Sequence, residues 1–299
     1  MVLVEEYAAE LVVDSQCILG EGPIWNESAN RLYWLDIHGK KVHSYDILAG
    51  NHEFQSFPIK LSALVFKEDG RAVAAGENGF YQVDLEHASV QPIADPEQPF
   101  VNTLFNDGKC DPKGRFFAGT IAKNRGGALY RLDPGGKVSK LLSEVGCSNG
   151  IAWSLDLKTM YYIDTSARSL DAFDYELESG HIHNRRTIIR YTDKDKENND
   201  ILPDGMTWDR EGRLWIAEWG GWKVSCWNPN TGERLAVVHV PAQFVTSCVF
   251  AGENLDELYI TSALHNLTPE QLREQPHAGG LFRVRTGAKG FSAYACKGE

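Results

Sequence analysis

One pentad recurs along the chain at a nearly fixed interval. Glu21-Gly-Pro-Ile-Trp25 aligns with Ser62-Ala-Leu-Val-Phe66, Asp107-Gly-Lys-Cys-Asp111, Asn149-Gly-Ile-Ala-Trp153, Asp204-Gly-Met-Thr-Trp208 and Thr246-Ser-Cys-Val-Phe250. The steps are 41, 45, 42, 55 and 42 residues, and the long one holds the charged insert TDKDKENND (192–200). A turn rich in Asn, Asp and Gly follows most pentads, then a second apolar run: RLYWLDI, RAVAAGE, RFFAGTI, TMYYIDT, RLWIAEW and ELYITSA. A third run and a weaker fourth complete most units. Four short strands in about 40–45 residues is the period of a propeller blade.

The expected fold is therefore all-β. It is a six-bladed β-propeller with four-stranded antiparallel blades, one domain over residues 1–299. Residues near Tyr7–Val13 are expected to close the ring as a strand added to the last blade. The regular period argues against a pair of β-sandwiches, and its length argues against a β-helix. The one helical pattern is TPEQLREQ (Thr268–Gln275), with a proline at its first position.

Totals exclude several classes. No run of 18 apolar residues is present, so no membrane-spanning helix is expected. The start, MVLVEEYAAELVVDS, has two early glutamates and no basic region, unlike a signal peptide, which points to a cytoplasmic protein. A net charge of −11 disfavours nucleic acid, whose phosphates need a basic face. Six cysteines, none as CxxC, are too few for a disulfide scaffold and are expected reduced and buried. No GxSxG elbow, HExxH, Walker loop or Rossmann fingerprint is present.

In a propeller the first strand of each blade is innermost. The repeat thus gathers Glu21, Ser62, Asp107, Asn149, Asp204 and Thr246 at one mouth of a central channel, with Asn106 beside them. Unpaired buried carboxylates repel, and a divalent cation removes that conflict. Glu21, Asn149 and Asp204 form the expected ligand set, all oxygen, which favours Ca2+ first, with Mg2+, Mn2+, Zn2+ or Fe2+ behind it. Three protein ligands leave positions open for water or substrate. Asn149-Gly150 and Asp204-Gly205, taken singly, also read as turns. Their shared phase with Glu21 favours the metal. The second strands return to the same mouth at Asp36, Glu77, Thr120, Asp164, Glu218 and Ser262. His38, Lys123, Asn124, Trp219, Trp222 and His265 then fall in rim loops. Glu218 and His265 are candidate substrate contacts. Trp219 and Trp222 read equally as sugar-stacking or rim-packing residues.

The motifs LGEGPIW (Leu19–Trp25), FNDGKCDPKGRFFAGT (Phe105–Thr120), SNGIAWSLD (Ser148–Asp156), YYIDT (Tyr161–Thr165) and LPDGMTWDREGRLWIA (Leu202–Ala217) run through almost the whole chain. In that order they resemble the senescence marker protein / gluconolactonase / luciferin-regenerating-enzyme-like family. The resemblance implies a six-bladed propeller, an axial divalent metal and, in many members, hydrolysis of sugar lactones to aldonic acids. Carried over by position, it puts the metal ligands on Glu21, Asn149 and Asp204. It makes Asp204 the catalytic base and Asn106 a contact to substrate or to a metal-held water. Regucalcin-like members have an arginine where this chain has Leu104. They also have acidic residues in a longer rim loop where this chain has Lys123 and Asn124. Both departures fall on substrate contacts, so Leu104 and Asn124 join the candidate substrate-binding set.

The expected activity is a metal-dependent lactonase acting on a small sugar lactone, with no nucleic-acid or membrane partner, as a monomer or weak oligomer. The alternatives are a non-catalytic calcium-binding regulatory propeller and a hydrolase of other esters, such as aryl esters or organophosphates.

Overall fold

The computed structural model describes residues 3–98, 103–122, 126–191 and 201–298. Two short strands come first, β1 (Glu5–Ala8) and β2 (Glu10–Val13). Each sequence unit then becomes a set of consecutive antiparallel strands. The first set is β3 (Gly20–Asn26), β4 (Arg31–Asp36), β5 (Lys41–Asp46) and β6 (Asn51–Ser56). The second is β7 (Leu61–Phe66), β8 (Ala72–Gly76), β9 (Gly79–Asp84) and β10 (Ser89–Ala94). The third is β11 (Thr103–Cys110), β12 (Phe116–Ala122), β13 (Gly127–Leu132) and β14 (Val138–Val145). The fourth is β15 (Ser148–Trp153), β16 (Thr159–Asp164), β17 (Ser169–Glu176) and β18 (His181–Arg190).

These four sets are separate four-stranded sheets. The remaining strands share one nine-stranded sheet. Part of it is β19 (Leu202–Trp208), β20 (Leu214–Trp219), β21 (Lys223–Trp227) and β22 (Arg234–His239). The rest is β23 (Phe244–Ala251), β24 (Glu257–Ala263) and β25 (Leu281–Val284), together with β1 and β2, and helix α1 (Pro269–Glu274) lies between β24 and β25. A single residue pair, Trp219 with Phe244, joins the two parts. Helix α1 starts where the sequence placed it: Thr268 caps it in a reciprocal box with Gln271, and Pro269 fills the first position.

The innermost strands pack in a ring, β3 on β7, β7 on β11, β11 on β15, β15 on β19, β19 on β23, and β23 back on β3. This is a β-propeller. Strands covered on both faces lose the apolar–polar alternation of a half-exposed sheet. LSALVF of β7 and AVAAG of β8 are buried throughout, whereas NHEFQS of β6 is largely exposed. Trp34, Trp153 and Trp215 are among the largest side chains of the core, all almost fully buried. Burying a large apolar side chain contributes about 1.5–3 kcal/mol.

The N-terminal segment closes the ring in two pieces. As expected, residues up to Val13 join the last strands: β2 pairs antiparallel with β25, Leu11 opposite Phe282. The expected strand does not start at Tyr7, however. Tyr7 belongs to β1, which lies parallel to β22 with Tyr7 opposite Val238. The segment therefore clasps both halves of the nine-stranded sheet. At the lower face the C-terminal tail crosses the channel. Cys296 donates its amide to Phe66 and Lys297 to Gly114, and the Tyr294 ring lies 6.2 Å from Trp153 and 6.0 Å from Trp208.

Candidate active site

The ring residues owe their direction to a repeated backbone device. The register between first and second strand breaks at the same step in each set. It does so between Glu21 and Ile24, Leu61 and Ala63, Phe105 and Gly108, Ser148 and Ile151, Pro203 and Met206, and Val245 and Ser247. A bulge kinks the strand and re-aims its side chains. Ser62, Asn106, Asp107, Asn149, Asp204 and Thr246 sit inside these bulges, and Glu21 directly before one. Asn149-Gly150 and Asp204-Gly205 are thus inside strands and are not turns. Their glycines serve close approach: a Cβ on Gly150 would lie 2.5 Å from that of Met206, and one on Gly205 2.5 Å from that of Ser247.

A second device fixes the chain just before the bulge. Asp36, at the end of β4, accepts the amides of Ile18, Leu19 and Gly39. Asp164, at the end of β16, accepts those of Gly146, Cys147, Ser166 and Ala167. Glu77, just past β8, accepts that of Lys60. These carboxylates, expected at the rim, tie each entering strand to its partner.

Above the bulges lies a cavity of about 340 Å³. Glu21, Asn106, Asn149 and Asp204 all line it. Glu21, Asn149 and Asp204 are 7%, 3% and 6% exposed. Asn106 Nδ2 donates to Ser148 O (2.8 Å) and to Asn149 Oδ1 (3.2 Å). Asn149 Nδ2 donates to Thr165 Oγ1 (2.8 Å), which donates to Pro203 O (2.7 Å). This chain of bonds orients both amides. Thr165 was not singled out from sequence, although it ends the YYIDT motif.

Among the described residues the two axial acids have no cationic partner. Burial pushes the Glu21 carboxyl up to about 8, the charge of Asp107 adds to this, and the Gly22 amide offsets it only in part. Burial raises Asp204 well above the carboxylate range, and the charges of Glu21 and Asp107 raise it further. Asp107 itself faces a narrower space of about 50 Å³ on the other side of the bulges, together with Lys109. Burial raises Asp107, while Lys109 and the Gly108 amide oppose the shift. Lys109 Nζ also donates to Met206 O at 2.7 Å. The ring position of Asp107 therefore does not put it on the cavity floor. Cys147 lines the cavity, but burial, then Asp204, Asp164 and Glu21, raise its thiol. It is a poor nucleophile there.

The other expected contacts divide. Leu104, His265 and Trp219 line the cavity, and His265 lies 4.9 Å from the ring of His38. Glu218 is outside that lining: it is buried 3.4 Å from Lys223 Nζ and accepts from the Tyr191 hydroxyl at 3.4 Å. Trp222 is also outside it, and Trp219 stacks on Phe244 at 4.3 Å. Thr246 is buried and donates to Gly20 O. Asn124 and Lys123 lie outside the described residues. All six cysteines are free.

Away from the axis, ligand atoms of Cys17, Asp36 and His43 lie within 4.8 Å of one another. Their bonding is already internal. Asp36 holds three amides, His43 Nδ1 meets His52 Nε2 at 2.9 Å, and His43 Nε2 meets Cys17 Sγ at 3.6 Å. A carboxylate already taken up by three amides and side chains bonded to each other do not call for an ion as the axial carboxylates do.

Propeller and site together define a class, and the chain belongs to the family described as SMP-30/Gluconolactonase/LRE-like region, which matches residues 19–264. Regucalcin of Oryctolagus cuniculus is 39% identical over 298 residues, covering 97% of this chain and 98% of that protein. YvrE of Bacillus subtilis (strain 168), described as a candidate sugar lactone lactonase, is 35% identical over 294 residues, covering 97% and 99%. The crystal structure of a calcium-binding protein, regucalcin of Agrobacterium tumefaciens, superposes with a TM-score of 0.90 at 24% identity, covering 99% of each chain. No described helix is long and apolar enough to cross a membrane.

Proposed function

We propose that this protein is a divalent-metal-dependent hydrolase that opens sugar lactones to aldonic acids, built on a six-bladed propeller in which the nine-stranded sheet counts as two blades. The observation that carries the reading is the pair of buried carboxylates, Glu21 and Asp204, which line one cavity; burial and then the charge of Glu21 raise Asp204, and no side-chain cation pairs with either among the described residues. The donor set fits a hard cation: two carboxylates and the Asn149 carbonyl oxygen offer oxygen only. Glu21, Asn149 and Asp204 would hold it. Bound there, the cation supplies charge that polarises a lactone carbonyl.

The chain's own residues do the rest. Asp204 accepts a proton from the attacking water as the water oxygen bonds to the carbonyl carbon. The ring C–O bond then breaks, and the proton passes to the departing alkoxide. A positioned general base contributes roughly 10²–10⁴-fold. Asn106, fixed through its amide nitrogen, presents its oxygen to a substrate hydroxyl or water. Family membership and the sugar-lactone description of a relative support the same reaction.

The test is acid release from glucono-δ-lactone, followed with a pH indicator on metal-stripped protein refilled with single cations. Turnover should vanish on stripping and return with at least one cation. Full turnover in stripped protein, or none with any cation and any lactone, would overturn the reading.

A further inference from the structure

The cavity has a polar floor and an apolar wall. Leu104 and Ile121 are direct cross-strand partners on β11 and β12, so their side chains lie side by side on one face. Both are large, apolar and unusually open, 49% and 39% exposed. Ile121 also bridges to Cys147, which carries the strip down toward the floor. Leu19, Ile37, Leu202 and Trp219 continue the wall around the cavity.

The charged groups on the wall are occupied with each other. Lys60 Nζ lies 3.6 Å from Glu77 Oε1, and the Lys60 amide donates to Glu77 Oε2. His38 is held toward its neutral form by burial, by His265 and by Lys60. Among the described residues, then, hydrogen-bonding side chains for a polyhydroxylated ring lie at the floor and at the His38–His265 pair, and not at Leu104 and Ile121. A hydroxyl laid against Leu104 and Ile121 would leave water without gaining a partner. Contiguous exposed apolar surface inside a concave site marks the place of an apolar ligand group.

We infer that the preferred lactones carry a hydrocarbon substituent on the ring, and that the Leu104–Ile121 pair receives it. This rests on the lactonase reading above and refines its substrate range: the floor opens sugar lactones such as glucono-δ-lactone, and the wall favours ring-alkylated lactones over them. The Leu104–Ile121 pair sets specificity, while the floor residues act on the ester.

The experiment compares a γ-lactone bearing a linear alkyl chain with glucono-δ-lactone, using cation-loaded protein. Each methylene in an apolar pocket is worth roughly 10–200-fold in kcat/KM, so the alkyl lactone should be favoured at least tenfold, chiefly through KM. L104R should lower kcat/KM for the alkyl lactone by about tenfold or more and raise it for glucono-δ-lactone. I121T should move the same ratio in the same direction by less. Calorimetric binding of the corresponding lactams, which resist hydrolysis, reads the wall independently of turnover. Preference of the unaltered protein for the hydroxylated compounds, in turnover or in lactam binding, would overturn the inference. So would equal losses on both lactones in L104R. Failure to hydrolyse either lactone, with the alkyl lactam still bound more tightly, would sink the lactonase reading and leave the wall preference standing.

Discussion

Asp111 and Asp209 are buried as deeply as Glu21 and Asp204, and their surroundings are opposite. Each turn acid opens the same motif, DPKGR and DREGR, at the far end of a first strand. Asp111 accepts the amides of Lys113 and Arg115, Arg115 Nε at 2.6 Å and the Tyr175 hydroxyl at 2.8 Å. Asp209 accepts the amides of Glu211 and Arg213, Arg213 Nε at 2.7 Å and Trp215 Nε1 at 2.8 Å. The axial acids have one neighbouring amide each and like charges beside them. A buried carboxylate whose lone pairs are all taken stabilises the fold. One left without a cation among the described residues is what the proposed ion site would draw on. The two kinds meet on one strand, with Asp204 near the start of β19 and Asp209 just past its end.

Substitutions should separate them. Asp204→Asn is expected to cut kcat of the cation-loaded protein by roughly 10²–10⁴-fold and to leave the thermal stability of the metal-stripped protein equal or higher, since a buried acid without a partner is removed. Near-normal turnover would break the contrast at its strongest point. Asp209→Ala should do the reverse. It leaves the Trp215 indole and two amides without their acceptor, although Arg213 keeps Glu211 at 2.6 Å, and buried donors left unpaired cost about 1–3 kcal/mol, read by urea unfolding. A loss under 1 kcal/mol would mean that the turn acids do not hold the sheets.

His43 extends the comparison to a buried base. Burial, then the neighbouring His52, push its pKa from the ordinary 6.5 down to about 4. The unfolded imidazole thus takes a proton over a range where the folded one does not. Stability is unaffected above pH 6.5 and falls as pH drops from 6.5 to 4, by roughly 3 kcal/mol in all. Urea unfolding at pH 7 and pH 4.5 checks this, and His43→Gln should lose less on acidification. Equal sensitivity in both proteins would acquit His43. The smallest effect concerns the cation. At 100 times its Kd, a divalent ion should stabilise the stripped protein by about 2.7 kcal/mol and Glu21→Gln by less. Identical shifts would place the ion elsewhere.

Much of this was legible in the sequence because a strict period survives even when residue identity drifts. The phase of Glu21, Asn149 and Asp204 was enough to bring them to one cavity. Phase does not report side-chain direction. Asp107 shares the phase yet turns to the other side of the bulges beside Lys109. Glu218 shares the phase of Asp36 and Asp164 yet spends itself on Lys223. The bulges themselves left no separable signal, because Asn-Gly and Asp-Gly also mark turns. The parallel pairing of β1 with β22 was hidden for another reason: which edge stays free is a property of the assembled sheets, not of the EEYA segment.

The clasp made by β1 and β2 has a consequence for biosynthesis. Residues 5–13 emerge from the ribosome long before His239 and Phe282, against which they must lie. Throughout translation this segment waits as an unpaired ribbon, and the last sheet has no outer edge until it returns. Such distant pairing slows folding. A rigid fusion or early tether at the N-terminus would therefore act less on the finished molecule than on the yield of molecules that manage to finish.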